Sequence, residues 1–487
     1  MYETFTNILT ANWLYSVFAI IAVVSTVVII FVILSENRNP VKSLGWVTVL
    51  LLLPVVGLIL YIFFGRSIKN TRMVSRRTRR KLRRGERRVN ADPRLHGLES
   101  RSVQQINLAR SLTGAQFYPS NSVKVFTDGK SKFEALEDDL RNAQRSINLQ
   151  YYIFEDDVLG NRIADILIER AANGVKVRLM YDHVGSFSVR SRFFKRLRDH
   201  GIEAYPFFRV TFPQLATRIN WRNHRKICII DQCIGYLGGM NVADRYIDGG
   251  KKFENWRDTH VRITGPAVSA LQYSFAVDWN FMCGALIEDS LPDRRYTEVR
   301  KDAVSRVGAQ LLTSGPTSQW ANIALAFHKA ISNARRRVFI QTPYFLPTEA
   351  LLKALQSAAL AHVDVRLMMP RHSDSLMLTL ASSSYISECL KAGIKIYLYD
   401  GGMLHSKMII VDEEIVTIGS TNFDFRSFEC NFESNLFFYS HDFAARMLEI
   451  YKTDLKKCAR VQPSEWRRRN PGRKIAESIL RLLSPVL

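Results

Sequence analysis

Two long apolar runs open the chain. Residues 13–34 and 44–64 carry no charge over 22 and 21 positions, and each is long enough to cross a hydrocarbon core as a helix. Only nine residues, 35–43, lie between them, so the pattern predicts a helical hairpin with both ends on one side. Pro54 and Gly57 fall inside the second run, where membrane helices tolerate them, and predict a kink. No Lys or Arg precedes the first run and no small-residue cleavage site follows it, so it does not read as a cleaved leader. After the hairpin the pattern changes to charge: residues 66–88 hold twelve Lys or Arg against the single acid Glu86. Residues 89–120 show weak periodicity and read, with the basic run, as a linker with one helix near 103–112.

From about residue 123 the pattern runs through one cycle and then repeats it. Helical spacing at 133–143, an apolar run at 146–154, helical spacing at 160–173 and a buried-strand pattern at 175–182 return in that order at 323–335, 337–345, 349–361 and 363–370. Strand and helix in fixed alternation predict α/β units with a largely parallel central sheet. Each half then reaches a short apolar run, 227–230 or 408–411, a turn, and a second apolar run ending in glycine, which reads as a hairpin of buried strands. The predicted organisation is a tail (1–12), two spanning helices (13–34, 44–64), a basic juxtamembrane linker (66–120), repeats at 121–300 and 301–465, and a basic tail (466–487).

Composition narrows the partners. With 68 basic against 45 acidic residues, the net charge of +23 calls for an anionic partner, nucleic acid or an anionic membrane. Its concentration beside an apolar hairpin favours lipid headgroups, where each basic residue contributes about 1 kcal/mol. By the positive-inside rule the same residues place the body of the chain and both termini in the cytoplasm. Six cysteines at irregular spacing form no disulfide framework or zinc motif and read as reduced thiols, in keeping with that side.

The chemistry sits where the two halves match most closely. HRKICIIDQCIGYLGGMN at 224–241 and HSKMIIVDEEIVTIGSTN at 405–422 both fit H-x-K-x4-D-x6-G-x2-N. On a strand, His224 and Lys226 share a face, as do His405 and Lys407. A lone match would read as an ordinary strand histidine; two matches with the trailing Gly and Asn read as a site. One imidazole can attack phosphorus, the other can protonate the leaving oxygen, and cations can hold the remaining oxygens. Such a pair should titrate as a coupled unit with a bell-shaped rate profile. Asp231 and Asp412 complete the motifs, each at the mouth of its hairpin, where an aspartate caps turn amides. No cluster has metal-ligand spacing, and no metal or other cofactor is expected.

The paired motif resembles the phospholipase D superfamily. That resemblance implies two repeats related by a pseudo-twofold axis, with one active site at their interface. It implies that His224 carries a covalent phosphoryl group while His405 is the acid. It also implies that Asp258 in NWRD and Glu433 in NFESN orient the histidines. Lys226, Lys407, Asn241 and Asn422 are assigned to the phosphoryl oxygens, with Ser420 as a further hydroxyl donor and Gly239 in its place in the first copy.

The whole-chain arrangement is similar to bacterial cardiolipin synthases of the phospholipase D type. This implies transfer of phosphatidyl from one phosphatidylglycerol to another, giving cardiolipin and glycerol, in the inner (cytoplasmic) membrane and without nucleic acid. A hydrolytic phospholipase D and a membrane-bound nuclease are the alternatives. Two further segments suit a lipid surface. Residues 207–222, in the stretch before the first motif that runs about eleven residues longer than its counterpart, mix aromatics with arginine. In the tail, Ile475, Ile479, Leu482 and Leu483 recur at helical spacing, a pattern that packing on the protein's own core explains equally well.

Overall fold

The computed structural model describes residues 2–35, 40–61, 65, 69, 73–87, 98–209, 220–287 and 302–484. Residues 1–68 with 210–220 form one compact unit, and 69–209 with 221–487 form the other.

In the first unit the apolar runs are helices: α1 (Tyr2–Ser35), α2 (Pro40–Leu52) and α3 (Pro54–Leu60). The break between α2 and α3 falls at Leu53, directly before Pro54, whose ring cannot donate the next helical hydrogen bond. Ile33, Leu50 and Tyr61 bury one another, and the Trp46 ring meets Tyr61 edge to face at 5.3 Å. Gly57 permits the tight turn, since a Cβ there would lie 2.8 Å from the Val49 carbonyl oxygen. Most other described side chains of these helices, Ile20, Phe31, Leu44 and Leu52 among them, are exposed. In α1 they run unbroken only over residues 23–34, and among the described residues alone no helix is long and apolar enough to cross a membrane. Most of the insertion at 207–222 lies outside the described residues.

The second unit is organised by one fifteen-stranded sheet. Its strands are β1 (Tyr118–Phe126), β2 (Ser146–Tyr151), β3 (Lys176–Asp182), β4 (Glu203–Phe207), β5 (Ile227–Ile230), β6 (Ile234–Gly238) and β7 (His260–Thr264) from the first half. From the second come β8 (Val304–Ser314), β9 (Arg337–Gln341), β10 (Asp364–Pro370), β11 (Lys395–Tyr399), β12 (Met408–Val411), β13 (Ile415–Gly419), β14 (Glu433–Tyr439) and β15 (Cys458–Arg460). The order across the sheet is β15-β11-β10-β9-β12-β13-β14-β8-β1-β7-β6-β5-β2-β3-β4. Outward from the central antiparallel β1–β8 pair, the halves repeat strand for strand, and β15 is the one addition.

The sheet is mixed rather than largely parallel. Only β2–β3–β4 and β9–β10–β11, the strands joined by helices, pair in parallel. The motif hairpins β5–β6 and β12–β13 and the strands that continue them are antiparallel. The strand-helix alternation reports only the first kind of connection. The tightest hydrophobic runs, Ile227–Ile230 and Met408–Val411, are buried at every position, as strands covered on both faces must be.

Two segments depart from the expected linker and tail. The basic stretch is not irregular: it forms α4 (Arg76–Arg87), packed on the helix Val268–Cys283, while α5 (Ser100–Thr113) is the helix expected near 103–112. The C-terminal helix Pro471–Leu482 lies on Leu376–Lys391, but with Ile475, Ile479 and Leu482 outward and Glu477 buried between Arg469 and Arg473. Packing on the core therefore does not explain that apolar face.

The motif aspartates are capping residues, though of neighbouring strands rather than of their own turns. Asp231 accepts the N–H groups of Gln144, Arg145 and Ser146 at the start of β2, at 2.7–2.9 Å. Asp412 accepts those of Arg335, Arg336 and Arg337 at the start of β9, and the Arg101 guanidinium besides. Both occupy left-handed backbone, at φ 51° and 52°, which aspartate tolerates better than most residues. Asp412→Ala takes the acceptor from three half-buried backbone donors and should destabilise the fold by about 1–3 kcal/mol, with Asp412→Asn costing less. Thermal unfolding of the two variants beside the parent checks the order.

Candidate active site

The two motifs bring His224 and His405 to the wall of one cavity of about 460 Å³. Each imidazole is held by a carboxylate from the opposite half. His224 Nδ1–H donates to Glu433 Oε1 at 2.9 Å, and His405 Nδ1–H donates to Asp258 Oδ2 at 2.7 Å. With Nδ1 engaged, Nε2 is the nitrogen left to react.

The backbone repeats the exchange. The His224 N–H donates to the Phe432 carbonyl at 3.0 Å, and the His405 N–H donates to the Arg257 carbonyl at 2.7 Å. Each histidine is thus stitched to the residue just before its carboxylate. The short strand Met403–Leu404 pairs in parallel with Trp256–Arg257, and Asn223 makes the matching bridge to Phe432. An aromatic edge meets each ring: Tyr152 at 5.0 Å from His224, and Trp256 at 5.3 Å from His405.

The lysines lie beneath the cavity rather than on its lining. Lys226 Nζ donates to the His224 carbonyl at 2.7 Å, and Lys407 Nζ donates to the His405 carbonyl. Both side chains are buried, as are Asp258 and Glu433. Burial pushes both ammonium groups below the usual lysine range, and Glu433 and Asp258 oppose it. Burial would raise the Asp258 carboxyl, but Lys407 and His405 hold it below the usual range. Burial also drives both imidazoles down, His405 to about 4, with Lys407 adding to the effect and Asp258 countering it. The resting centre therefore holds two neutral imidazoles among two buried lysines and two buried carboxyl groups.

The expected asparagines line the cavity. Asn241 accepts the Ile153 N–H at 3.1 Å and donates to the Tyr246 hydroxyl at 2.6 Å, while the Asn422 side-chain oxygen is buried without a partner. Ser420 takes a different place from that expected. Fully buried and off the cavity wall, its hydroxyl donates to Glu433 Oε2. At the matching position Gly239 leaves room for Asp258, whose Oδ1 would lie 2.1 Å from a Cβ there.

Sequence reasoning missed Asp182 and Arg222. Asp182, at the end of parallel strand β3, accepts the Asn223 N–H at 2.8 Å and the Arg222 guanidinium at 3.2 Å, and so fixes the approach to His224. Its position at the carboxyl end of a parallel strand was a usable signal. Arg222, Arg245, Lys251, Lys252 and Arg426 surround the cavity with positive charge. Asp374 and Asp424 also reach the cavity wall. Among the described residues, no group of three His, Cys, Asp or Glu is arranged to hold a metal ion, and no cysteine is in a disulfide.

Comparison with known proteins gives the chain its relatives. The family model described as cardiolipin synthase, phospholipase D-like domain, matches residues 136–279 and 327–455, and a phospholipase D-nuclease N-terminal model matches 19–66. The chain is 40% identical over 485 residues to the major cardiolipin synthase ClsA of Bacillus subtilis, covering 97% of this chain and 99% of that one. It is 38% identical over 468 residues to cardiolipin synthase 2 of Bacillus anthracis, covering 95% and 90%. Among solved structures, phosphatidylserine synthase of Haemophilus influenzae shares the fold at a TM-score of 0.60 and 14% identity, over 79% of this chain and all of that one.

A site whose imidazoles rest neutral should take up a proton when it admits a phosphodiester anion, because the anion raises the pKa of the nearer imidazole. The sign follows: between the low pKa of the empty site and the higher one of the filled site, affinity falls as pH rises, by up to about tenfold per unit. Measured on the His224→Ala protein with a slowly reacting phosphodiester analogue from pH 5.5 to 8, Kd should increase with pH. In His224→Ala/His405→Gln the slope should flatten.

Proposed function

The chain belongs to the cardiolipin synthases with a phospholipase D-like domain, and we propose that it joins two phosphatidylglycerol molecules into cardiolipin, releasing glycerol. The observation that carries this reading is the pair of crossed imidazole–carboxylate contacts opening on one cationic cavity. In the first step His224 Nε2 attacks phosphorus of the donor lipid, and the P–O bond to the headgroup glycerol breaks. His405, protonated on entry of the diester, gives its proton to the departing oxygen. The phosphatidyl group now rests on His224 as a phosphoramidate. In the second step a headgroup hydroxyl of another phosphatidylglycerol attacks phosphorus, His405 takes its proton, and the P–N bond breaks. One phosphodiester replaces another, so the exchange runs in either direction and no nucleotide is consumed.

In this reading Lys226 and Lys407 act from beneath the cavity as fixed positive charge opposite the nonbridging oxygens. Asn241 and Asn422 line the space those oxygens would enter. Glu433 and Asp258 hold the imidazoles in the reactive tautomer, and Ser420 holds Glu433. Asp231 and Asp412 contribute through the strands they cap.

Membrane association is part of the same proposal. Its supports are the apolar, largely outward side chains of α1 to α3, the match of residues 19–66 to the family's N-terminal model, and the twelve basic residues at 66–88. With these, the helices enter the inner membrane as a hairpin and the basic residues, the catalytic body and both termini stay in the cytoplasm. Exposed Leu376 and Met377, in the same turn as cavity-lining Leu378, suit a lipid surface at the cavity mouth.

Purified detergent-solubilised protein given phosphatidylglycerol and excess chelator should form cardiolipin and glycerol in equal amounts, followed by mass spectrometry. His224→Ala should abolish both products, and His405→Ala should accumulate phosphatidyl label on His224. Phosphatidic acid as the main product would replace transfer with hydrolysis, and restoration by a divalent ion after chelation would overturn the metal-free scheme.

A further inference from the structure

Between His224 and Lys226 stands Arg225, which the alternation of an extended chain sends to the opposite face. There it borders a second cavity, of about 360 Å³, that shares no lining residue with the first. We propose that this second cavity is a binding site for a phosphate-ester anion, separate from the catalytic cavity.

Its cations are the argument. Arg79 and Arg83, one turn apart on α4, line it together with Arg225. Arg83 is held by neutral groups: Nη2–H donates to the Thr113 carbonyl at 2.7 Å, and Nε–H donates to the Tyr273 hydroxyl at 3.3 Å. Thr113 is the last residue of α5, where the helix dipole favours a cation. Gly114 behind it, in left-handed backbone, is what lets the guanidinium lie flat, since a Cβ would sit 2.4 Å from Nη2. Arg79 has no carboxylate partner among the described residues. The one carboxylate on the lining, Asp278, is already taken by the Arg225 guanidinium and by Gln150 Nε2 at 2.6 Å.

A second observation points into the same space. Ser274 is 6% exposed, lines the cavity, and among the described residues its hydroxyl has no hydrogen-bond partner. Two guanidinium groups without acidic partners and an unspent hydroxyl match the oxygens of a phosphate ester. The chemistry is the same for a soluble ester and for the headgroup of an anionic lipid. The proposal does not depend on phosphatidyl transfer.

Hydrogen–deuterium exchange on the full-length His224→Ala protein tests it. Glycerol 3-phosphate, or nanodiscs of phosphatidylglycerol compared with phosphatidylcholine, should protect residues 111–115, 270–278 and 313–320. Protection by glycerol 3-phosphate alone assigns a soluble ester; protection by phosphatidylglycerol discs alone assigns a lipid headgroup. Arg79→Gln/Arg83→Gln should weaken the protecting ligand at least about tenfold. Arg79→Gln alone, at an exposed position whose side chain makes no hydrogen bond or ion pair among the described residues, should weaken it in the same direction if the double variant fails to fold. No protection of these segments by either ligand, or protection unchanged in the arginine variants, overturns the proposal.

Discussion

The imidazole–carboxylate bond that crosses from one half of the chain to the other is the contact on which the remaining structure depends. Neither histidine has its partner in its own repeat: Glu433 reaches back to His224, and Asp258 reaches forward to His405. For both bonds to form, the halves must sit in one register. The central β1–β8 pair, the bridge from Asn223 to Phe432 and the pairing of Met403–Leu404 with Trp256–Arg257 all fix that register. The sheet is therefore continuous because the site has to be shared.

The burial of Lys226, Lys407, Asp258 and Glu433 in so small a volume would be prohibitive for any one of them alone. Side by side, lysine against carboxyl, they offset one another's burial, and burial keeps the two histidines neutral. That state is poised for an anion. A phosphodiester brings one negative charge, and in the proposed reaction the proton it draws in is the one the leaving group requires. The electrostatics of binding and the protonation state needed for chemistry are thus one requirement met by one arrangement.

Much of this was legible in the chain. The paired motifs, the duplicated order of helix and strand, the break at Pro54 and the histidine-orienting acids were all readable from spacing or from the resemblance the motifs carry. What was not legible has physical causes. Strand β1 has the mixed sequence YPSNSVKVF and pairs through register shifts, so no clean alternation marks it. Helix α4 was hidden by its charge, because a run of arginines reads as a solvated segment until a partner helix is seen against it. Ser420 sat at the right offset for a phosphate ligand, but only the geometry shows its hydroxyl turned toward Glu433. The crossing of the carboxylates cannot be read from one dimension, since both acids follow their own motif by a few turns of chain.

The small difference between the two half-sites has a history in it. A symmetric dimer of single-motif chains would form the same crossed contacts, each subunit lending its acid to the other, but its two histidines would be indistinguishable. Once both copies lie in one polypeptide they can drift apart. Here one pair has glutamate braced by Ser420, and the other has aspartate fitted against Gly239. An internal repeat thus permits what identical subunits cannot have: two otherwise equivalent imidazoles held in permanently unequal surroundings.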